Sequence, residues 1–250
     1  MSDARLDAVE FSTTTGVDHP SLLPKGGLVV LRAANRWDGP WFADQQLAVS
    51  LAKHVPVLYV DPATSVLSKP PKRALVRPWL RPLGPGLTRL TPVAPPAADR
   101  VGISSITARM VARSIVTAAR SMGRQIEALI DCAPLSPVLG RCGESRRVYW
   151  AQDDFEAMAA LVGVSPRRMR KGERRLANDA DVVIAANPQV AEVISARGHQ
   201  TELIPFGCDP DVFGRALDVA SAADIRLDGK IAGFMGHIGE RIDIRLLDAV

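Results

Sequence analysis

Long apolar runs and paired cysteines are both missing from this 250-residue sequence. The longest apolar runs, such as Gly27–Leu31 and Val182–Ala186, fall far short of the roughly 20 residues that cross a bilayer, so no transmembrane helix is predicted. Cys132, Cys142 and Cys208 are odd in number and form no CxxC pair, which argues against a disulfide framework and a zinc site. These absences favour a protein of a reducing cytoplasm.

Several enzyme motifs are also absent. No GxGxxG follows the first predicted strand, which disfavours a dinucleotide-binding enzyme, and neither the P-loop pattern GxxxxGK[ST] nor GxSxG occurs. Residues 1–26 contain no basic stretch followed by an apolar one, so we expect a flexible leader there rather than a signal peptide.

Acidic residues are scarce in two stretches, although the net charge is only +4. Between Lys69 and Arg113 there are nine Lys or Arg and a single acid, Asp99, and Arg167–Arg175 contains six basic residues. Such stretches attract phosphates, anionic lipid headgroups or nucleic acid, or they are simply solvated surface. No nucleic-acid recognition motif accompanies them. The hypothesis is that Lys69–Arg113 contacts an anionic membrane or a polyprenyl-phosphate acceptor.

The order of elements predicts an α/β protein with a parallel sheet. A hydrophobic content of 47% is enough for a packed core, and short β-branched runs alternate with segments of helical period, as in βαβ units. The proline-rich segment Pro62–Pro96 is expected to hold little more than one strand, at Leu87–Thr91. The stretch PLSPVLGR that begins at Pro134 is expected to be a short helix. The other predicted strands are Gly27–Arg32, Val55–Asp61, Glu127–Cys132, Arg146–Ala151, Asp181–Asn187, Thr201–Phe206 and Ile231–Gly236.

Helices are predicted between these strands by apolar periodicity and by end signals. One covers the segment after Phe42, another runs from Ile103 to Met122, and a third begins at Ser165 and Pro166 as N-cap and first helical residue. A helix closed by Gly198 follows the strand at Asp181–Asn187. The last residues, IDIRLLDAV, have the pattern of a further helix.

The segment ELIPFGCDPDVF gives the first specific resemblance to a known family. It is similar to the "PNGVD...F" segment of retaining group 1 glycosyltransferases of the GT-B fold, a family 4-like set, with matches at Gly207, Asp209 and Phe213. Phe206 and Cys208 replace the usual Asn and Val. The preceding order E-x-x-L-x-x-x-A-D-V-V, which begins at Glu173, resembles the helix and strand that come before this segment in the family.

Two further segments extend the resemblance over nearly all of the chain. VYWAQDDF, which contains Asp153 and Asp154, resembles a strand end of the cell-surface polysaccharide subgroup that includes teichuronic acid synthesis enzymes. GFMGHIGERIDIRLL resembles the opening of the donor domain, although the family's commoner Arg and Lys-Gly pattern is absent. The resemblance implies two Rossmann-like domains: an acceptor domain at 27–207, a linker at 208–229, and the truncated start of a donor domain at 230–250.

The same resemblance implies the activity. A complete enzyme would transfer a sugar from a nucleotide-diphosphate donor to a glycan or lipid-linked acceptor in cell-envelope polysaccharide biosynthesis, without a cofactor or a catalytic metal. It would work in the cytoplasm, at the inner face of the membrane. Because most of the donor domain is missing, this chain alone is expected to be inactive or nearly so.

Candidate site residues follow predicted strands, because open α/β sheets bind ligands beyond the carboxyl ends of their strands. In the loop after the first predicted strand, indole faces could stack on a sugar, while amide or carboxylate groups orient its hydroxyls. The alternative is that the tryptophans of this loop only cover the edge of the core. The aspartates after the Arg146–Ala151 strand face the interdomain cleft in the family, or they cap a helix. No residue is assigned to catalysis. The acceptor-binding candidates are Asn35, Arg36, Trp37, Asp38, Gly39, Asp153 and Asp154, and the donor-phosphate candidates are Gly236, His237, Gly239 and Arg241.

Two other interpretations remain open. A split or degenerate domain of this kind would be a non-catalytic module that holds a glycan or pairs with a second chain. A GT-B sugar-nucleotide epimerase would share the two-domain plan but carry its own catalytic carboxylates and histidine. The sequence does not name the sugar, the acceptor or the oligomeric state.

Overall fold

The chain divides into two compact units, Met1–Gly207 and Cys208–Val250. The computed structural model describes residues 26–68, 78–98, 100–215, 218–219, 233 and 242–248. The interpretation of 208–229 as a linker and of 230–250 as the start of a donor domain stays a prediction.

The described residues of the first unit form ten strands and five α-helices, with a 3-10 turn at Val66–Ser68. The strands are β1 (Gly27–Arg32), β2 (Val57–Val60), β3 (Thr64–Ser65), β4 (Leu80–Gly84), β5 (Leu87–Leu90), β6 (Val93–Ala94), β7 (Gln125–Asp131), β8 (Arg146–Ala151), β9 (Val182–Ala185) and β10 (Glu202–Leu203). The helices are α1 (Ala43–Ala52), α2 (Ile103–Ser121), α3 (Phe155–Met158), α4 (Pro166–Asp179) and α5 (Pro188–Ser195).

Eight of these strands form one sheet in the order β10-β9-β8-β7-β1-β2-β5-β4. Every neighbouring pair is parallel except β4 and β5. The register aligns Val30 of β1 with Leu58 of β2 on one side and with Leu129 of β7 on the other. The predicted α/β class with a parallel sheet is therefore confirmed. Strands β3 and β6 form a separate parallel pair.

Apolar residues cover both faces of the sheet, as expected for a parallel sheet flanked by helices. Along β1, Leu28 and Val30 join the core cluster that contains α2, α4 and α5, whereas Val29 and Leu31 join the cluster that contains α1. This alternation follows from the two-residue period of a strand. One continuous run of apolar residues thus supplies both halves of the core.

Several predicted boundaries are confirmed. Strand β1 has the predicted bounds, and α2 begins at Ile103 as predicted. Pro166 is the first residue of α4, but the side chain of Ser165 makes no capping hydrogen bond. Asn187, in contrast, caps α5 through Oδ1, which accepts from the Val190 N–H at 2.9 Å.

Two predictions about the connections are wrong. The segment Pro62–Pro96 contains three strands besides β5, namely the short pair β3 and β6 and the longer β4. Strand β4 is an antiparallel edge strand with an irregular register at Pro82–Gly84, and an edge is where a sheet tolerates proline. The predicted short helix at PLSPVLGR is also absent, because residues 132–145 connect β7 to β8 through turns.

A buried polar cluster joins β8 to the helices beside it. Glu173 of α4 is buried, and its oxygens accept from the Tyr149 hydroxyl at 3.3 Å and from Arg197 at 3.2 Å. Arg197 also donates to Glu156 of α3 at 2.9 Å, and Glu156 binds Arg170 of α4 as well. This cluster ties three helical segments to one strand of the sheet.

The pKa values of the two glutamates of this cluster are shifted in opposite directions. Burial raises the pKa of Glu173 above its ordinary value of 4.5, although Arg197 opposes the shift. Hydrogen bonds from Arg170 lower the pKa of the more exposed Glu156 below 4.5. The native state therefore holds the Glu173 proton more tightly than the unfolded chain, and stability falls as the pH rises through this window. For Glu156, stability is lost as the pH falls through its native pKa.

We expect the free energy of unfolding, measured by urea denaturation from about pH 3 to pH 7, to show these opposite trends. The stability of the wild type minus that of Glu173→Gln should decrease as the pH rises. The stability of the wild type minus that of Glu156→Gln should increase. Parallel profiles for both variants would contradict the assigned shifts.

Gly172 marks a close approach between α4 and the connection after β7. A Cβ at this position would lie 2.1 Å from the carbonyl oxygen of Pro134 and 2.7 Å from its carbonyl carbon. Backbone atoms cannot move aside as a flexible side chain can, so any residue larger than glycine must push the helix and the connection apart.

We therefore expect Gly172→Ala to destabilise the protein by about 2 kcal/mol, despite the better helix propensity of alanine. The neighbouring exposed change Lys171→Ala is the control and should alter the free energy of unfolding by less than about 0.5 kcal/mol. The measurement is urea denaturation of both variants. Equal stabilities of the two variants would show that the contact is not tight.

The described residues of the second unit include two short helices, α6 (Pro210–Arg215) and α7 (Ile244–Asp248). Helix α7 confirms the helix predicted in the last residues of the chain. The predicted strand Ile231–Gly236 lies outside the described residues. Across the described parts of the chain, no helix combines the length and the apolar character needed to span a membrane.

Candidate functional site

The loop after β1, residues 33–41, follows the carboxyl end of a central strand, and the buried side chain of Asp44 accepts hydrogen bonds from it. Asp44 stands in the first turn of α1 and is fully buried. One of its oxygens, Oδ2, accepts from the backbone N–H of Ala34 at 3.0 Å, from that of Asn35 at 2.9 Å and from Asn35 Nδ2 at 3.0 Å. The side-chain nitrogen of Asn35 thus donates to Asp44 and helps to fix the shape of the loop.

Gln45 and Tyr59 hold the same loop through its carbonyl groups. Gln45 Nε2 donates to the carbonyl oxygens of Arg36 at 3.0 Å and Pro40 at 3.1 Å. The Tyr59 hydroxyl donates to the carbonyl oxygen of Asn35 at 2.7 Å. Burial, together with the nearby charges of carboxylates, raises the pKa of Tyr59 well above its ordinary range, so this hydroxyl stays a donor. The loop backbone is therefore fixed from within the core.

The two tryptophans of the loop differ in role. Trp37 is half-buried, and its ring makes edge contacts with Tyr59 at 5.0 Å and with Trp41 at 5.4 Å between centroids. Trp41 is 44% exposed. Trp37 therefore helps to cover the core edge, whereas the Trp41 indole is available to a ligand.

A buried ion pair lies behind Trp37. The fully buried carboxylate of Asp61, which follows β2, accepts from the backbone N–H of Trp37 at 2.9 Å, from Arg89 Nε at 2.6 Å and from the Thr91 hydroxyl at 2.8 Å. The same guanidinium of Arg89 donates to Asp38 at 2.6 Å, whose side chain is 65% exposed. Asp38 is thus the outer end of a chain of charges that begins in the core.

A second buried ion pair joins the ends of β1 and β7. Arg32 donates to Asp131 at 2.7 Å and to the Ser136 hydroxyl at 2.7 Å, and both charged residues are buried. Asp131 also accepts from the backbone N–H of Ala133 at 3.0 Å and of Val138 at 2.8 Å. This pair links the carboxyl ends of β1 and β7, which lie next to each other in the sheet.

Gln152 brings the two candidate loops together. It follows β8 directly, and its Nε2 donates to the Oδ1 of Asp44 and makes a longer contact of 3.6 Å with the sulfur of Cys132. Asp44 therefore binds the loop after β1 with one oxygen and the loop after β8 with the other. The sheet places a strand, β7, between these two loops.

The paired aspartates after β8 mainly shape their own backbone. Asp153 Oδ1 accepts from the Asp154 N–H at 2.9 Å, and Asp154 Oδ1 accepts from the Ala157 N–H at 3.0 Å as the N-cap of α3. The helix-cap interpretation is therefore correct for Asp154. Asp153 is exposed, so its other oxygen is open to solvent.

Of the remaining candidates, Arg36 and Gly39 lie within the described residues and the donor-phosphate candidates do not. Arg36 is exposed and donates to the Thr64 hydroxyl at 3.1 Å, while Gly39 N–H donates to the carbonyl oxygen of Arg36 at 3.1 Å and closes a turn. The donor-phosphate candidates Gly236, His237, Gly239 and Arg241 lie outside the described residues. Within the ranges that the structure describes, no group of three or more Asp, Glu, His or Cys side chains is placed to hold a metal ion.

Sequence reasoning missed the residues that hold the site together. They are Arg32, Asp44, Asp61, Arg89, Asp131 and Gln152. A signal was available for Asp61 and Asp131, since each follows or ends a run of buried strand residues, where a charged side chain needs a reason. Nothing local pointed to Asp44 or Gln152, because their partners lie 9 to 108 residues away.

Comparison with known proteins gives a remote structural likeness. No family model matches the chain, and no curated protein matches it. Among solved structures it is similar to one described as the crystal structure of Os79 from O. sativa in complex with UDP, with 14% sequence identity and a TM-score of 0.43. The match covers 72% of this chain and 51% of that chain, so the chain spans about half the length of that protein. The α/β class rests on the sheet itself.

We expect Asp61→Asn to destabilise the protein by about 3 kcal/mol, because it removes the buried one of the two charged partners of Arg89 and weakens the anchor of the Trp37 backbone. The matched control is Asp38→Asn, which removes the other, exposed partner of the same guanidinium and should cost less than about 1 kcal/mol. Urea denaturation measures both. Equal losses would show that Asp61 is not the anchor.

Proposed function

We propose that this chain belongs to a GT-B glycosyltransferase that transfers a sugar from a nucleotide-diphosphate donor to a glycan or lipid-linked acceptor. In this proposal the loops after β1 and β8 bind the acceptor. The order of family-like segments along the sequence supports the family, down to Gly207, Asp209 and Phe213. The work would take place on the cytoplasmic side of the cell envelope.

The observation that carries the proposal is the pre-formed loop at the carboxyl edge of the parallel sheet. Its backbone is fixed by Asp44, Gln45 and Asp61, while the Trp41 indole and the Asp38 carboxylate remain exposed. An exposed aromatic face beside a fixed carboxylate suits a sugar, because the ring packs on the apolar face of the pyranose and the carboxylate accepts from hydroxyls. Carboxyl edges of open α/β sheets are where ligands bind.

The described residues would act by positioning rather than by proton transfer. The buried carboxylates Asp44, Asp61 and Asp131 each bind backbone or side-chain donors of the protein and are not free to take a proton from an acceptor. A rigid loop that holds the acceptor hydroxyl in line with the donor would contribute through orientation. Stabilisation of the departing diphosphate would fall to the second unit, in the segment of Gly236 and Arg241.

The same observation favours a second candidate, a non-catalytic glycan-binding module. A site whose buried carboxylates are all engaged in holding its shape can bind a glycan without turning it over. The two candidates therefore make the same prediction for binding and different predictions for turnover.

Binding is tested with immobilised glycans and calorimetry on the 250-residue chain. We expect Trp41→Ala to weaken binding of the best glycan about tenfold, because the indole face is lost. The control is Ile106→Ala, which truncates a similarly exposed apolar side chain on α2 and should leave the affinity unchanged. Equal affinity of wild type and Trp41→Ala would show that the loop is not the glycan site.

Turnover is tested by release of nucleoside diphosphate from a panel of nucleotide sugars, with the product of the entire gene and the bound glycan. Release that depends on the glycan supports the glycosyltransferase. Glycan binding without release supports the module. If the protein neither binds a glycan nor releases nucleoside diphosphate, both candidate functions are contradicted.

A further inference from the structure

A groove on the surface of the first unit is lined by α2 and by the connection that joins β7 to β8. Residues 132–145 join the parallel strands β7 and β8 through turns, whereas such connections usually contain a helix. The exposed side of α2 borders this connection. A recess of about 420 Å³ lies between them, apart from the loops at the carboxyl edge of the sheet.

Four arginines line this recess, and we refer to it as the arginine groove. Arg109, Arg113 and Arg120 come from α2, and Arg141 comes from the opposite connection. The three helical positions are four and then seven residues apart, a spacing that aligns them along one side of a helix. The helix thus forms one basic wall and the connection supplies a cation on the other.

The cations of the groove form no ion pairs among the described residues. Glu144 is close in sequence to Arg141, but its two oxygens accept from the N–H groups of Gly140 at 2.5 Å and Cys142 at 3.0 Å. Like charges gathered in one recess repel one another, and an anion between them relieves that repulsion.

We propose that the arginine groove binds a compact anion carrying two or more phosphate groups, of the diphosphate or triphosphate type. Each guanidinium presents a planar fork of donors that matches two phosphate oxygens, and such charge-assisted bonds are the strong ones. Ala112 and Val116 form an apolar floor between the arginines. The Thr117 hydroxyl donates to the carbonyl oxygen of Arg113 at 2.7 Å, so the arginines supply the donors for the anion.

The concave shape favours a compact anion over a flat anionic surface. Arg141 faces the α2 arginines across a recess, so a ligand must enter the recess to contact both walls. A membrane surface would contact the exposed rim of α2 and leave Arg141, which is half-buried, with little to bind. The ligand should therefore depend on both walls at once.

The test is calorimetric titration of the 250-residue chain with sodium tripolyphosphate, and with orthophosphate for comparison. We expect tripolyphosphate to bind more tightly than orthophosphate, and the affinity to fall with added salt. Arg113→Gln and Arg141→Gln should each weaken tripolyphosphate binding about tenfold. The control double change Arg167→Gln with Arg174→Gln removes two exposed cations of α4 and should change the affinity less than about twofold.

Three outcomes would overturn the proposal. Equal losses in the groove variants and in the control pair would mean that binding follows net charge alone. Loss with Arg113→Gln but none with Arg141→Gln would mean that the recess does not close around the ligand. Flotation with phosphatidylglycerol vesicles in the absence of tripolyphosphate binding would assign the arginines to a membrane surface. Arg113→Lys with Arg141→Lys, which keeps the charge, should restore only part of the affinity because the fork is lost.

Discussion

The candidate site depends on carboxylates that are buried beneath it. Where the chain leaves β1 it can no longer satisfy its backbone through the sheet, and polar backbone groups in such a place need partners. Asp44 and Asp61 accept from three backbone N–H groups of the loop, and Gln45 and Tyr59 donate to three of its carbonyl oxygens. The shape of the loop is therefore decided by residues of the core.

These carboxylates are kept in the core by different means. Asp61 and Asp131 face the guanidinium groups of Arg89 and Arg32, and removing one partner of such a pair leaves an uncompensated charge. Asp44 forms no ion pair among the described residues; backbone and amide donors surround it instead, from Asn35 on one side and Gln152 on the other. The loop after β1 and the loop after β8 are thus coupled through one side chain.

Sequence patterns predicted the regular parts of this architecture, but not the buried side chains that hold the loop after β1. The bounds of β1 and the start of α2 follow from local apolar periodicity and were predictable for that reason. Strand β4 was missed because its proline, Pro82, argues against a strand unless its place at the sheet edge is known. Asp38 was named as a candidate from its position after a strand, whereas Trp41, which the structure leaves exposed, was not among the named candidates. Asp44 and Gln152 act through contacts that only the fold creates.

In the connection between β7 and β8, as in the loop after β1, carboxylates accept hydrogen bonds from backbone N–H groups. This connection also borders the groove beside α2. A helix would satisfy its own backbone, but an irregular connection must find other partners. Asp131 accepts from Ala133 and Val138, and Glu144 accepts from Gly140 and Cys142. With its turns held by these carboxylates, the connection needs no helix to satisfy its backbone. The arginines of α2 that form no ion pairs within the described parts of the chain line a recess beside this connection, together with Arg141.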